Sequence, residues 1–293
     1  MLTIAAPAKI NLTLEVLKKR EDGYHKIRSV IQAIDLCDVL YFEAGSGIEV
    51  VCDDPRWQAD KSLIPRAAAL LGEQFSCPEG VKIHLAKRIP LLSGLAGDSS
   101  GAAAALKGVN VFRGLGYTEG QLADFAAKLG SDTAFFLSGG TALVEGRGEI
   151  VSPLPSLPEM WVVLLMPKVA RTIGKTGKMY SALDKSLFTE GEKTDSLVKK
   201  LSLGEDIDRS DLFNVFERVA YDTYQDLARY HNDFLAAGAA SVHLAGSGPT
   251  LFTLVKDKSN ALEICDRLKE QGYNACAVKT LARGDLLRTG AMA

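Results

Sequence analysis

The sequence predicts an α+β protein of two domains. Strand and helix patterns come in mixed order, and neighbouring strand patterns sit too close together for crossover helices between them. A proline-dense segment near the middle then leaves two halves of ordinary domain size in a chain of 293 residues.

The start is strand-rich: "INLTLEVL" alternates, "IRSVIQAI" and "DVLYFEA" follow, and "GIEVVC" comes after a glycine-serine turn. "DKSLIPRAAALLGEQF" has helical spacing with Asp60 as its cap, and "GVKIHLAKRIP" is a strand ended by Pro90. A helix is expected from Ser99 through "SSGAAAALKGVNVF", and another in "TEGQLADFAAKLG", begun by Thr118 and stopped by Gly130. "GGTALVEGRGEIV" is a strand with glycine turns. Pro153, Pro155 and Pro158 crowd the next segment, which sets the expected domains at 1–153 and 154–293. The second half opens on the buried-strand run "MWVVLLMP" and crosses a polar stretch with one short helix. It continues with a helix over "VFERVAYDTYQDLARY", strands at "SVHLAG" and "TLFTLVK", a helix over "SNALEICDRLKEQG" and a last strand, "YNACAVKTL".

Charged residues make up 24% of the chain and hydrophobic ones 47%, as in a folded globular protein. A net charge of -2 gives no broad footprint for nucleic acid or an acidic membrane, so any contact with an anion must be local. The cysteines at 37, 52, 77, 265 and 276 are scattered, with no histidines at metal-ligand spacing, and read as reduced thiols. Lys9 and Asn11 interrupt the N-terminal apolar run, and no stretch approaches the roughly 20 apolar residues that cross a bilayer. A cytoplasmic protein, monomeric or homodimeric, is the expectation.

Three constellations carry chemistry. "GLAGDSSGAAAALKG" (94–108) feeds small residues and two serines into a helix start. Open backbone N–H groups and the positive helix end there suit phosphate. From this loop alone, a phosphate cradle and a serine-capped helix weigh evenly, and Asp98 places an anion in its middle. "LAGSGPTLF" (244–252) holds Gly246, Ser247 and Gly248 between two strand patterns; alone it is a turn, but two such loops favour phosphate. Asp132, in "LGSDTAFFLSGG", follows a helix end in apolar surroundings, where it either caps the next turn or meets a partner such as Lys9.

These pieces resemble the GHMP kinase superfamily through "APAKINLTLEVL" (6–17), "IPLLSGLAGDSSGAAAAL" (89–106) and "LAGSGPTLF". "KREDGYHKIRSVIQAIDLCDVL" (19–40) and "LGSDTAFFLSGGTALVEGRGE" (129–149) look like the 4-diphosphocytidyl-2-C-methyl-D-erythritol (CDP-methylerythritol) kinases within it. The resemblance implies transfer of the ATP γ-phosphoryl group, with Mg²⁺, to the 2-hydroxyl of that small molecule. It implies a ribosomal-S5-like N-terminal domain and a ferredoxin-like C-terminal one, whose last strand returns to the first. Asp132 matches the catalytic carboxylate and Lys9 its partner. Ser62, Lys87, Pro90, Gly94, Leu95, Ala96, Gly97, Asp98, Ser99 and Ser100 fall at nucleotide-binding positions. Asn11, Tyr24, His25, Thr176, Tyr180, Gly246 and Ser247 fall at substrate positions, with His25 reading the cytosine edge and Tyr180 giving an aromatic face. His84, His231 and His243 match nothing and read as structural.

The chain also departs from the family. The family loop is commonly G-L-G-G-G-S-S-D, against G-L-A-G-D-S-S-G here, and Ser62 stands where an Asn is usual. Ala96 is a mild exchange if its φ is negative. For Asp98 three placements stand: turned outward as a helix cap, on the metal side with Mg²⁺ (where Ser99 is the other candidate), or weakening nucleotide binding. Other readings are a GHMP kinase for a different alcohol, of homoserine or mevalonate type, and a nucleotide sensor that has lost catalysis.

Overall fold

The computed structural model describes residues 1–72, 80–170, 174–287 and 289–291; Cys77 and the end of the first expected helix, 73–75, lie outside them. The first half is built on one long strand. β1 (Leu2–Asn11) and β2 (Thr13–Lys19) run in succession along one edge of β3 (His25–Gly45), both antiparallel to it. Two strands, 27–34 and 38–44, were expected where β3 is one. Asp38 is fully buried: its carboxylate accepts the Arg88 and Ile89 amides, each at 2.7 Å, and the Lys87 ammonium at 2.5 Å.

β4 (Ile48–Cys52) lies parallel to β5 (Gly80–Ala86), which pairs with the far end of β3, while β6 (Thr141–Gly146) pairs with its near end and with β7 (Ile150–Pro153). Helices α1 (Leu63–Gly72), α2 (Gly97–Arg113), α3 (Glu119–Leu129) and α4 (Thr133–Ser138) cover this sheet around a core that includes Phe42, Leu106, Phe135 and Phe136. The alanine run 102–105 is fully buried, and Gly108 lies against the Phe42 ring, so small side chains bring α2 down onto the sheet. Thr118 and Gln121 form the capping box that starts α3.

Two expected helix starts shift. Asp60 sits in a short 3₁₀ turn and caps nothing; α1 begins at Leu63. α2 begins at Gly97 rather than Ser99, which puts Asp98 inside its first turn.

In the second half β8 (Trp161–Leu165) is followed by α5 (Lys175–Ala182), α6 (Glu192–Leu203), β9 (Phe213–Asn214), α7 (Glu217–Thr223) and α8 (Leu227–Ala236). The single helix expected over 215–230 breaks between α7 and α8, where Asp226 takes φ +62°. β10 (His243–Leu244), β11 (Leu251–Val255), α9 (Lys258–Glu270) and β12 (Ala275–Lys279) complete the sheet, in the antiparallel order β10-β11-β8-β12. That order is the ferredoxin-like one expected. β13 (Thr289–Ala291) pairs with β1, and β9 lies parallel to β2, so the chain returns twice to the first sheet. A shared core of Ile10, Leu12, Leu95, Val162, Leu164, Leu197 and Phe252 joins the halves.

Candidate active site

Where the halves meet, a cleft of about 940 Å³ opens between the two glycine loops. The loops, some 150 positions apart in sequence, touch backbone to backbone. Thr250 N–H donates to Ser93 O at 3.2 Å. A Cβ on Gly94 (φ +89°) would lie 2.2 Å from Ala245 O, and one on Gly246 (φ +55°) would lie 2.9 Å from Gly94 O and 3.1 Å from Lys9 Nζ. Glycine is required at both positions by that approach. The second loop is held from behind by residues that the sequence did not single out: Asn214 Nδ2 donates to Leu244 O and Gly246 O, each at 2.8 Å, and the Tyr224 hydroxyl to Ser247 O at 2.6 Å.

Lys9 and Asn11 share one face of β1, because side chains two apart point the same way. Both are buried, and Lys9 Nζ donates to Asn11 Oδ1 at 2.7 Å. Asp132 stands at the N-cap of α4, but its side chain makes no capping bond. Its Oδ2 lies 3.7 Å from Lys9 Nζ. Of the two readings of Asp132, the structure shows the pairing with lysine.

Of the other nucleotide-side candidates, Ser62, Lys87, Pro90, Gly94 and Ala96–Ser99 line the cleft. Leu95 and Ser100 do not: both are fully buried, since the turn into α2 rotates them toward the core. Leu95 O instead accepts the Lys9 N–H at 3.1 Å. The Lys87 ammonium is held by Asp38 and Ile89 O beneath Gly97, an internal ion pair at the base of the loop. Ala96 has φ +57°, the left-handed region, so this exchange is not mild; such a backbone costs about 1 kcal/mol or more for a residue with a Cβ.

Asp98 turns away from its own helix end. Its Oδ1 accepts the Ser62 hydroxyl at 2.5 Å and its Oδ2 the Leu63 N–H at 2.9 Å, while Ser62 Oγ accepts the Ile64 N–H at 3.2 Å. The acid is thus a cap, but the helix it caps is α1. Two of the departures from the family pattern, Ser62 and Asp98, touch each other.

At the other end of the cleft His25 stacks on Tyr180, with ring centroids 4.8 Å apart and 15° between planes. Phe216 meets Tyr180 edge-on and Phe188 meets His25 the same way, so the Tyr180 face expected to be open is covered by His25. Burial lowers the pKa of His25 and, foremost, raises that of Tyr180, which keeps both rings neutral at pH 7. Tyr24 is exposed under the Arg147 guanidinium, 5.2 Å from its ring centre. Thr176 Oγ1 lies 3.1 Å from Ser247 Oγ, tying α5 to the second glycine loop. Trp57 and Arg147 also line the cleft without having been predicted. Their signals were an aromatic in a polar loop and an arginine between glycines.

Eight Lys and Arg residues line this cleft against two carboxylates, Asp98 and Asp132, in a chain whose net charge is -2. Such a local excess concentrates anions. Among the described residues no group of three or more His, Cys, Asp or Glu side chains is placed to hold a metal ion, and no helix is long and apolar enough to cross a membrane.

Residues 62–140 match the model of the GHMP kinases N terminal domain and 197–274 that of the GHMP kinases C terminal. A Dehalococcoides mccartyi protein named 4-diphosphocytidyl-2-C-methyl-D-erythritol kinase is 49% identical over 96% of this chain and 99% of its own length. A Listeria monocytogenes protein of the same name is 40% identical over 92% of each chain. A crystal structure of 4-(cytidine 5'-diphospho)-2C-methyl-D-erythritol kinase superposes with TM-score 0.80 at 30% identity, covering 95% of this chain and 98% of its own. Homoserine kinase from Cytophaga hutchinsonii superposes with TM-score 0.77 at 19% identity, over 99% of this chain and 96% of its own, a likeness of fold.

Proposed function

The chain belongs to the GHMP kinases, and from that premise we propose that it transfers the γ-phosphoryl group of ATP to the 2-hydroxyl of 4-diphosphocytidyl-2-C-methyl-D-erythritol, in non-mevalonate isoprenoid precursor synthesis in the cytoplasm. The observation that carries this reading is the Lys9–Asp132 pair beside two abutting glycine loops in a cation-lined cleft. The names of the similar proteins supply the substrate. The aromatic end formed by Tyr24, His25 and Tyr180 favours a substrate with a base over homoserine or mevalonate, and the retained Lys9–Asp132 pair favours an enzyme over a sensor.

Phosphoryl transfer needs positioning and charge stabilisation more than covalent help. Asp132, not engaged as a cap, accepts the proton of the substrate hydroxyl. The hydroxyl oxygen then bonds to the γ-phosphorus as the bond to the bridging oxygen breaks and ADP leaves. Lys9 pairs with Asp132 and faces the charge that develops. The amides at the start of α2, beyond Ala96, cradle the phosphates.

Both Asp98 oxygens are engaged and no acidic cluster stands beside them among the described residues, so the Ser99 hydroxyl on the cleft wall is the protein group that would hold a nucleotide-borne Mg²⁺, which would neutralise phosphate charge.

Incubation with ATP, Mg²⁺ and the cytidyl substrate should release ADP and form the 2-phosphate, and Asp132→Ala should lower kcat about 100-fold or more. Turnover no greater than that of Asp132→Ala would overturn the reading.

A further inference from the structure

We infer that Ser29 is a positioning residue for Lys9, acting through Asn11: one buried hydroxyl sets the direction in which the reactive ammonium is held. This rests on the function proposed above for Lys9. The four groups form a single line through the junction of β1 and β2. Ser29 Oγ lies 2.5 Å from Thr13 O, Asn11 Nδ2 lies 2.8 Å from Ser29 Oγ, and Asn11 Oδ1 lies 2.7 Å from Lys9 Nζ.

The order of donors along this line follows from valence. A backbone carbonyl can only accept, so the single proton of Ser29 goes to Thr13 O. Having no second proton, Ser29 Oγ can only accept from Asn11, which must therefore present its NH₂ group there. The amide oxygen then has to face Lys9, whose ammonium can only donate. An unanchored asparagine has two amide orientations of similar shape; this one has one. The reversed amide would point N–H groups at a buried ammonium and leave its oxygen against a hydroxyl with no proton to give. Ser29 is 0% exposed and off the cleft, so water cannot answer that mismatch at the Ser29 end, and Lys9 and Asn11, at the cleft wall, are only 4% exposed each.

The anchor itself is built into the sheet. At the break between β1 and β2 the Val30 N–H donates to Thr13 Oγ1 at 2.9 Å, while Leu12 N–H donates to Val30 O at 2.8 Å. Side-chain hydroxyls of Thr13 and Ser29 thus bridge the interruption in the strand pairing, and Ser29 stands near the start of β3, opposite Val144 of β6. With one N–H on Asn11, Lys9 keeps its remaining hydrogens for Asp132 and the charge that forms at the transferred phosphoryl group.

Steady-state kinetics and unfolding of three variants test this. Ser29→Ala should lower kcat about tenfold with both KM values within about twofold, because the loss is one of orientation and not of a substrate contact. Ser29→Thr, which keeps the hydroxyl, should retain kcat even where its extra methyl lowers the melting temperature. Ser29→Cys keeps the volume with a weaker acceptor and should fall between, which covers failure of the alanine variant to fold. A purely structural serine would lower the melting temperature in Ala and Thr variants alike and leave kcat of the folded protein unchanged.

A double-mutant cycle on urea unfolding gives a readout without catalysis. The factor by which Lys9→Met changes the unfolding constant should differ about fivefold between the wild-type and S29A backgrounds. Wild-type kcat in S29A, or independent effects in the cycle, would overturn the relay. A wild-type chain without kinase turnover would overturn the proposed function instead, and the cycle would still decide the relay.

Discussion

Replacing Asp98 by alanine separates its role as a cap from a role at the metal. The change removes two hydrogen bonds to one carboxylate, from the Ser62 hydroxyl at 2.5 Å and the Leu63 amide at 2.9 Å. It leaves the Leu63 amide in the first turn of α1 without its acceptor, a loss that commonly costs 0.5–2 kcal/mol, about 1 being typical. Hydrogen bonds to a charged acceptor lie at the upper end of the net range, about 1.5–3 kcal/mol, when water is excluded. Asp98 is only partly buried, so water recovers some of this. The sum is about 2 kcal/mol, which for a chain of this size lowers Tm by about 5 °C.

Thermal unfolding of the nucleotide-free protein, followed by circular dichroism, measures it. Ser62→Ala in the same background should then cost less than in the wild type, because the bond to Asp98 is already gone and only the one from the Ile64 amide is left to lose. Since both oxygens are engaged by α1, the Mg²⁺ concentration at half-maximal activity should stay at the wild-type value. A Tm within about 1 °C of wild type, or a tenfold rise in the Mg²⁺ requirement, would refute the shared-cap account.

Ala96→Gly should raise stability by about 1 kcal/mol by relieving the left-handed backbone at φ +57°, less the entropy glycine adds to the unfolded chain; urea titration reads it, and a loss of stability would show the strain to be absent. Gly94→Ala should raise the ATP KM at least tenfold, because its Cβ would meet Ala245 O at 2.2 Å and force the two loops apart; unchanged nucleotide binding by calorimetry would count against their contact as a determinant of the site. Burial holds the pKa of His25 below its ordinary 6.5, so below that pH the unfolded chain binds more protons than the folded one. The His25 contribution to stability is therefore whole above pH 6.5 and is lost as pH falls through the folded value. Histidine NMR titration should give a midpoint below 6.5 for His25, and a midpoint above it would remove the effect.

What could be read from the sequence was what is local. The glycine loops, the capping box at Thr118 and Gln121 and the amphipathic helix over 258–270 each carry their cause within a few residues. The misread elements share a different cause: a polar residue whose partner is distant. The polar residues from Asp35 to Asp38 separated two expected strands, yet the Lys87 ammonium and the Arg88 and Ile89 amides answer the Asp38 carboxylate from about 50 positions away and let β3 run through. Asp226 breaks the helix expected over 215–230, and in that fold Tyr224 reaches Ser247.

Asp98 posed the sharpest form of the problem, an acid inside an anion cradle. Taken alone the loop offered three placements for it, all of them at α2 itself. The partner was Ser62, itself conspicuous as the other exchange near the nucleotide side, and 36 positions upstream. Two departures that each seem to weaken a binding loop become one compensated contact when they meet. By engaging the carboxylate at the start of α1, the contact turns that charge away from the start of α2, where phosphate is proposed to bind. Unusual residues in a motif are therefore better interpreted in pairs: a buried or half-buried charge has to be answered somewhere, and the answering group is itself expected to look out of place in its own segment.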